Sequence, residues 1–127
     1  IIIMCSAVAD YTPSSYSDQK MKKKDSDLSI PLSRTQDILK YLGEHKSGNQ
    51  LLIGFSMETE NLIANSREKL TKKNADMICA NSICGNETGF AVDTNRVTLI
   101  THDDVKELPL CSKEDTADLI LDKATSL

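Results

Sequence analysis

Three solid apolar runs punctuate the chain, at 1–9 (IIIMCSAVA), 51–55 (LLIGF) and 75–80 (ADMICA). Each is continuous rather than alternating, the pattern of a strand buried on both faces, as parallel sheets require. Between the second and third, Leu62, Ile63, Ser66 and Leu70 fall on one stripe at helical spacing, which predicts a helix over 60–73 with Asn74 as its stop. A shorter helix is predicted over 36–42, capped by Ser33 or Thr35 and ended by Gly43. Residues 12–19 (TPSSYSDQ) read as a loop, and 28–32, interrupted by Pro31, as an edge strand at most. A loop containing Gly85 and Gly89 follows the third run. Segments 96–101 and 105–108 form a hairpin across His102, Asp103 and Asp104. Ser112 caps a last helix whose inward face is Ala117, Ile120, Leu121 and Ala124. Strands alternating with helices predict an α/β fold with a mostly parallel sheet and right-handed crossovers.

The 127 residues are expected to form a single domain, 1–127. No apolar run approaches the roughly 20 residues of a membrane span. The opening IIIM is too short for a signal peptide and has no basic flank. It reads as a chain entered in mid-strand, so the expectation is a piece of something longer.

Net charge is −4, which argues against a nucleic-acid track, but the charge is uneven. Residues 1–75 hold 11 basic and 9 acidic groups, and 76–127 hold 4 and 10. Eight of the fifteen cations fall in two clusters, Lys20–Lys24 and Arg67–Lys73, which suits a small anionic ligand. Among the cysteines, Cys79 and Cys84 are too widely spaced for a metal knuckle, and neither His45 nor His102 has a partner at zinc spacing. Reduced thiols and a cytoplasmic setting follow from that.

Lys69 and Lys73, four apart, project from one helix face. With the Lys20 cluster they can grip a polyphosphate as flexible point charges, or they can simply complement a helix C-terminus. Asp10, placed by this reading at the end of a buried strand, suits a Mg²⁺ or a ribose hydroxyl, or else forms a turn. Asp37, in the first turn of its helix, caps it or leaves N–H groups free for a phosphate. Phe55 stacks on a base or fills core. There is no dinucleotide fingerprint, P-loop or nucleophile elbow, and no Ser–His or Cys–His pair.

The strings SAVADY (6–11), KMKK (20–23), TQDIL (35–39), GFSMETEN (54–61), KLTKKNADMICAN (69–81), FAVDTNRVTLI (90–100) and LPLCSKEDTADLILD (108–122) together resemble one family. It is the phosphopantothenoylcysteine synthetases, one half of the bacterial bifunctional coenzyme A biosynthesis proteins. The resemblance implies a Rossmann-like sheet with flanking helices and a C-terminal hairpin plus helix. It also implies that 1–127 is the C-terminal part of the synthetase domain, without its N-terminal strands.

By the same resemblance Asp10 matches the acid of AxVADY, and Lys20 the first lysine of KxKK, needed for acyl-cytidylate turnover. Gln36, Asp37, Ile38 and Leu39 match a segment bordering CTP, Phe55 the aromatic of GFxxET, and Lys69 and Lys73 two nucleotide-binding lysines. Gln36 stands where the family has Pro, and Ser6 where Ala is common.

The implied partners are CTP, 4′-phosphopantothenate, cysteine and a second copy of the chain in a homodimer. Mg²⁺ is the implied cofactor, with FMN only if a decarboxylase half lies upstream. The implied activity is ligation through an amide bond. A non-catalytic nucleotide-sensing domain and a fragment of a flavoprotein are the other classes consistent with the residues.

Overall fold

The computed structural model describes residues 1–22, 25, 27–82 and 93–127. Lys23, Lys24, Cys84, Gly85, Gly89 and Phe90, named above, lie outside the described residues. The chain divides into two compact units: Ile1–Cys5 with Ile38–Leu127, and Ser6–Asp37.

The first unit is built on a five-stranded sheet. Its strands are β1 (Ile2–Met4), β4 (Leu52–Glu58), β5 (Met77–Ser82), β7 (Val97–Ile100) and β8 (Val105–Glu107), in that spatial order. β1, β4 and β5 run parallel, and β7 and β8 continue antiparallel. Strands β6 (Thr94–Asn95) and β9 (Cys111–Ser112) make a separate small antiparallel pair.

Helices cover both sheet faces, which is why β4 and β5 read as unbroken apolar runs. Even-numbered Leu52 and Ile78 face α1 (Ile38–His45) and α2 (Leu62–Lys72), packing with Leu39, Leu42 and Leu70. Odd-numbered Ile53, Met77, Cys79, Val97 and Leu99 face α3 (Lys113–Thr125), packing with Ile120 and Ala124. At the start of β4, Asp76 Oδ2 accepts the Leu52 N–H at 2.7 Å and pairs with Lys46 Nζ at 2.6 Å.

Several boundaries differ from the sequence expectation. Only residues 2–4 of the first run form a strand, and that strand is half-buried, paired on one side with β4. β4 continues past Phe55 to Glu58, because Ser56 is buried against Ser66 with their hydroxyls 2.9 Å apart. α1 begins at Ile38 and runs through Gly43 instead of ending there. Neither expected cap serves it: Ser33 lies in a strand, and the Thr35 hydroxyl donates to the Ala9 carbonyl at 2.6 Å.

Ser112 does cap α3, its Oγ accepting the Asp115 N–H at 3.0 Å. The buried face of that helix is Thr116, Ile120 and Ala124, while Ala117 and Leu121 are exposed. In α2 the buried residues are Ser66 and Leu70, and Ile63 is 48% exposed. No helix among the described residues is long and apolar enough to cross a membrane.

The Cys79 thiol is fully buried in the α3-side core, and this burial pushes its pKa up to about 12. Iodoacetamide at pH 8 is therefore expected to label exposed Cys5 and to spare Cys79 until denaturant is added. Peptide mass mapping checks this; equal labelling of both in the native state would contradict the core placement.

The second unit is a two-stranded antiparallel ribbon, β2 (Tyr11–Pro13) with β3 (Leu32–Arg34). Its ends are closed by Thr35 N–H on the Asp10 carbonyl at 3.0 Å and Ser14 N–H on the Pro31 carbonyl at 2.9 Å. The Arg34 guanidinium lies over the Tyr11 ring, 5.6 Å from its centroid.

Candidate functional site

Five of the residues singled out by the sequence lie in the first unit, on three elements that pack together. α1 supplies Ile38 and Leu39, β4 supplies Phe55, and α2 with its C-cap supplies Lys69 and Lys73. Gly54 makes the α1–β4 approach possible. A Cβ built there would stand 2.7 Å from Leu39 Cδ2 and 3.1 Å from Ile78 Cδ1. The absent side chain at 54 thus seats the first turn of α1 directly on β4, one residue before Phe55.

The buried Ser56–Ser66 hydroxyl pair does the same for α2 and β4 with small, mutually satisfied side chains. Three residues along the helix, Lys69 Nζ donates to the Phe55 carbonyl at 2.8 Å. An ammonium carries three donors, so this bond orients the lysine and leaves two for a ligand oxygen. The Phe55 ring is half-buried and packs on the opposite sheet face, against the α3-side core. Phe55 therefore sits in mid-strand, not at a strand end as expected. Its backbone, not its ring, is the contact with Lys69.

Lys73 is the C-cap of α2, its N–H bonded to the Lys69 carbonyl at 3.0 Å. Asn74 follows in the left-handed conformation, φ 48°, so the expected stop is present. Its Nδ2 donates to the Gly43 carbonyl of α1 at 2.7 Å. No local pattern signals this bond, because its partners are thirty-one positions apart.

The remaining predicted residues belong to the second unit. Asp10 is exposed and lies just before β2, not at the end of a buried strand. Lys20 is exposed in the segment joining β2 to β3. Gln36 and Asp37 are exposed and precede α1 rather than lying within it.

One open groove, of about 690 Å³, lies beside the other end of α2. Arg96, Thr98 and Glu107 of the hairpin region line it with the first residues of the helix. At about 1.5 Å rise per residue the two ends of α2 are roughly 15 Å apart, so this groove is distinct from the lysine cluster. No group of three His, Cys, Asp or Glu side chains comes together as a metal site among the described residues.

Comparison with known proteins agrees with this architecture. The whole chain, residues 1–127, matches the family described as DNA/pantothenate metabolism flavoprotein C-terminal domain. It is 46% identical over 128 residues to the coenzyme A biosynthesis bifunctional protein CoaBC of Bacillus subtilis, covering 100% of this chain and 31% of that protein. It is 41% identical over 128 residues to a cysteine/cysteine sulfinic acid decarboxylase from an unknown prokaryotic organism, covering 100% of this chain and 36% of that one. A crystal structure of the C-terminal domain of CoaBC superposes with a TM-score of 0.72 at 39% identity, over 97% of this chain and 53% of the other. The chain thus spans about a third of the length of these curated relatives. Matched end to end in sequence and closely in fold, the chain is a member of the DNA/pantothenate metabolism flavoprotein C-terminal domain family.

Proposed function

We propose that this chain is the C-terminal part of a phosphopantothenate–cysteine ligase domain that uses CTP, and that the lysines of α2 bind the nucleotide phosphates. The observation that carries the reading is the Lys69–Phe55 bond. It fixes an ammonium group at the β4–α2 junction, beside the first turn of α1 seated on Gly54. α1 and α2, both assigned to the nucleotide by family resemblance, pack on one sheet face, and β4 joins them there through the Phe55 carbonyl while its ring faces the other side.

In this reading the carboxylate of 4′-phosphopantothenate attacks the α-phosphorus of CTP. The bond to the β-phosphate oxygen breaks, pyrophosphate leaves with that electron pair, and an acyl-cytidylate forms. The cysteine amine then attacks the acyl carbon, loses a proton and expels CMP. Negative charge builds on phosphate oxygens in both steps, and Lys69 of α2 and its C-cap Lys73 stabilise it, while Lys20 is assigned to turnover by the family resemblance. Asp10, Gln36, Asp37, Ile38 and Leu39 serve nucleotide contact. No protein nucleophile is needed. Mg²⁺ would supply positive charge to the triphosphate and to the leaving pyrophosphate.

A cytoplasmic homodimer is part of the proposal. Val8, Tyr11, Leu28, Ile30 and Leu32 of the second unit are all exposed, and a lone two-stranded ribbon is marginal in water. A second copy of the chain is the covering surface proposed.

The test is calorimetric titration of the complete protein with CTP and with ATP in the presence of Mg²⁺, beside Lys69→Ala. CTP binding that Lys69→Ala weakens about tenfold or more supports the reading. Equal binding by both forms would remove Lys69 from the nucleotide site. A second reading is nucleotide binding without ligation, since one relative that the whole chain matches is named a decarboxylase and not a ligase. Binding without pyrophosphate release in the presence of 4′-phosphopantothenate would select it.

A further inference from the structure

Asn74 is assigned no role by the family resemblance, yet it ends two helices at once. Its left-handed backbone closes α2, with its own N–H on the Thr71 carbonyl at 3.2 Å and the Ala75 N–H on the Leu70 carbonyl at 3.0 Å. Its side chain closes α1. The Gly43 carbonyl lies in the last turn of α1, where carbonyls have no partner within the helix, and Asn74 Nδ2 donates to it at 2.7 Å. At the same junction the backbones nearly touch: a Cβ built on Gly43 would stand 1.8 Å from the Lys73 carbonyl oxygen. One hydrogen bond and one backbone contact therefore join α1 to the end of α2, at Asn74 and at Lys73.

We propose that Asn74 is a positioning residue for the Lys69–Lys73 phosphate clamp. It holds the last turn of α2 against α1, so that Ile38 and Leu39 and the two lysines keep one geometry. This rests on the nucleotide-site reading given above. The need for it is physical. A lysine is a point charge on a flexible stem, so its placement depends on its Cα, and the final turn of a helix frays. Lys73 is at that fraying end. Tethering its neighbour to a second helix removes the freedom before the ligand arrives, which improves affinity without adding a ligand contact.

Asn74→Gly separates the two jobs of the residue. Glycine adopts the left-handed conformation readily, so α2 still stops, but the bond to Gly43 is gone. Asn74→Asp keeps the size and the tolerance for positive φ, and its carboxylate has no donor for the Gly43 carbonyl. Steady-state kinetics of the complete protein should show the KM for nucleotide raised roughly fivefold in both variants, the equivalent of one neutral hydrogen bond. The kcat and the KM values for 4′-phosphopantothenate and cysteine should stay within about twofold.

A fall in melting temperature with an unchanged nucleotide KM in either variant would overturn the proposal, since a purely structural cap predicts that pattern. Lys69→Ala, measured beside them, separates the two levels of inference. If it raises the nucleotide KM and the Asn74 variants do not, the positioning role alone fails. If it changes nothing, the clamp itself fails, and the positioning role fails with it.

Discussion

Gly43→Ala is expected to destabilise the protein by about 4 kcal/mol or more, a large share of the roughly 5–15 kcal/mol that holds a typical domain folded. The sign is the informative part. Gly→Ala inside a helix ordinarily stabilises by up to about 1 kcal/mol, because glycine is the poorer helix former. Here the new methyl would lie 1.8 Å from the Lys73 carbonyl oxygen and 2.9 Å from its carbon. Those are backbone atoms, so no side-chain rotamer relieves the overlap. Either α1 or α2 must shift, and both are packed on Leu52 and Ile78. Gly48→Ala is the control, because a Cβ there meets nothing within 4 Å. Urea unfolding of the pair gives the comparison. A Gly43→Ala protein as stable as the Gly48→Ala one would mean that the helices are not in backbone contact.

Lys20→Gln is expected to lower kcat for ligation by roughly 10²-fold, with unfolding midpoints unchanged. Lys20 is exposed, so its removal costs no packing and leaves no orphaned partner in the core. Its proposed work is electrostatic, on charge that appears only as phosphate bonds break. Such a group affects turnover more than ground-state binding. Lys22→Gln, equally exposed and two residues away, should change kcat by less than about twofold. Single-turnover measurement of acyl-cytidylate against final product locates the affected step. Normal turnover in Lys20→Gln would take this residue out of the mechanism.

How far the sequence disclosed the fold depended on whether a residue's neighbours are local. β4 and β5 were legible because burial on both faces requires unbroken apolar runs, and Leu52–Ile53 and Met77–Ala80 are such runs. The run at 1–9 has the same look but leaves the sheet after Met4, and Val8 is exposed in the second unit. Apolar composition alone does not say which surface covers a side chain. Gly43 illustrates the opposite error. Glycine after a helix is a common stop, but here it marks close approach by a second helix, and the stopping bond comes from Asn74.

The candidate site shows the same division. The spacing of Lys69 and Lys73 put both inside one helix; Lys69 lies in the last turn of α2, but the helix ends at Lys72 and Lys73 is its C-cap. The bond from Lys69 to the Phe55 carbonyl had no signature, because any residue supplies a carbonyl. In α3, Thr116 took the inward position expected of Ala117. Its hydroxyl donates to the Ser112 carbonyl at 2.7 Å, so a polar residue is buried without loss.

The pairing of β1 carries a consequence for synthesis of the chain. Ile2 lies beside Leu52, so an apolar strand must wait for a partner made fifty residues later. At roughly 5–20 residues per second that is several seconds on the ribosome. Throughout it, a short segment rich in isoleucine and free of proline and charge is without its β4 partner, the composition that invites pairing between chains. On the edge that β4 covers, nascent copies on neighbouring ribosomes are thus open to association until β4 emerges and pairs with it.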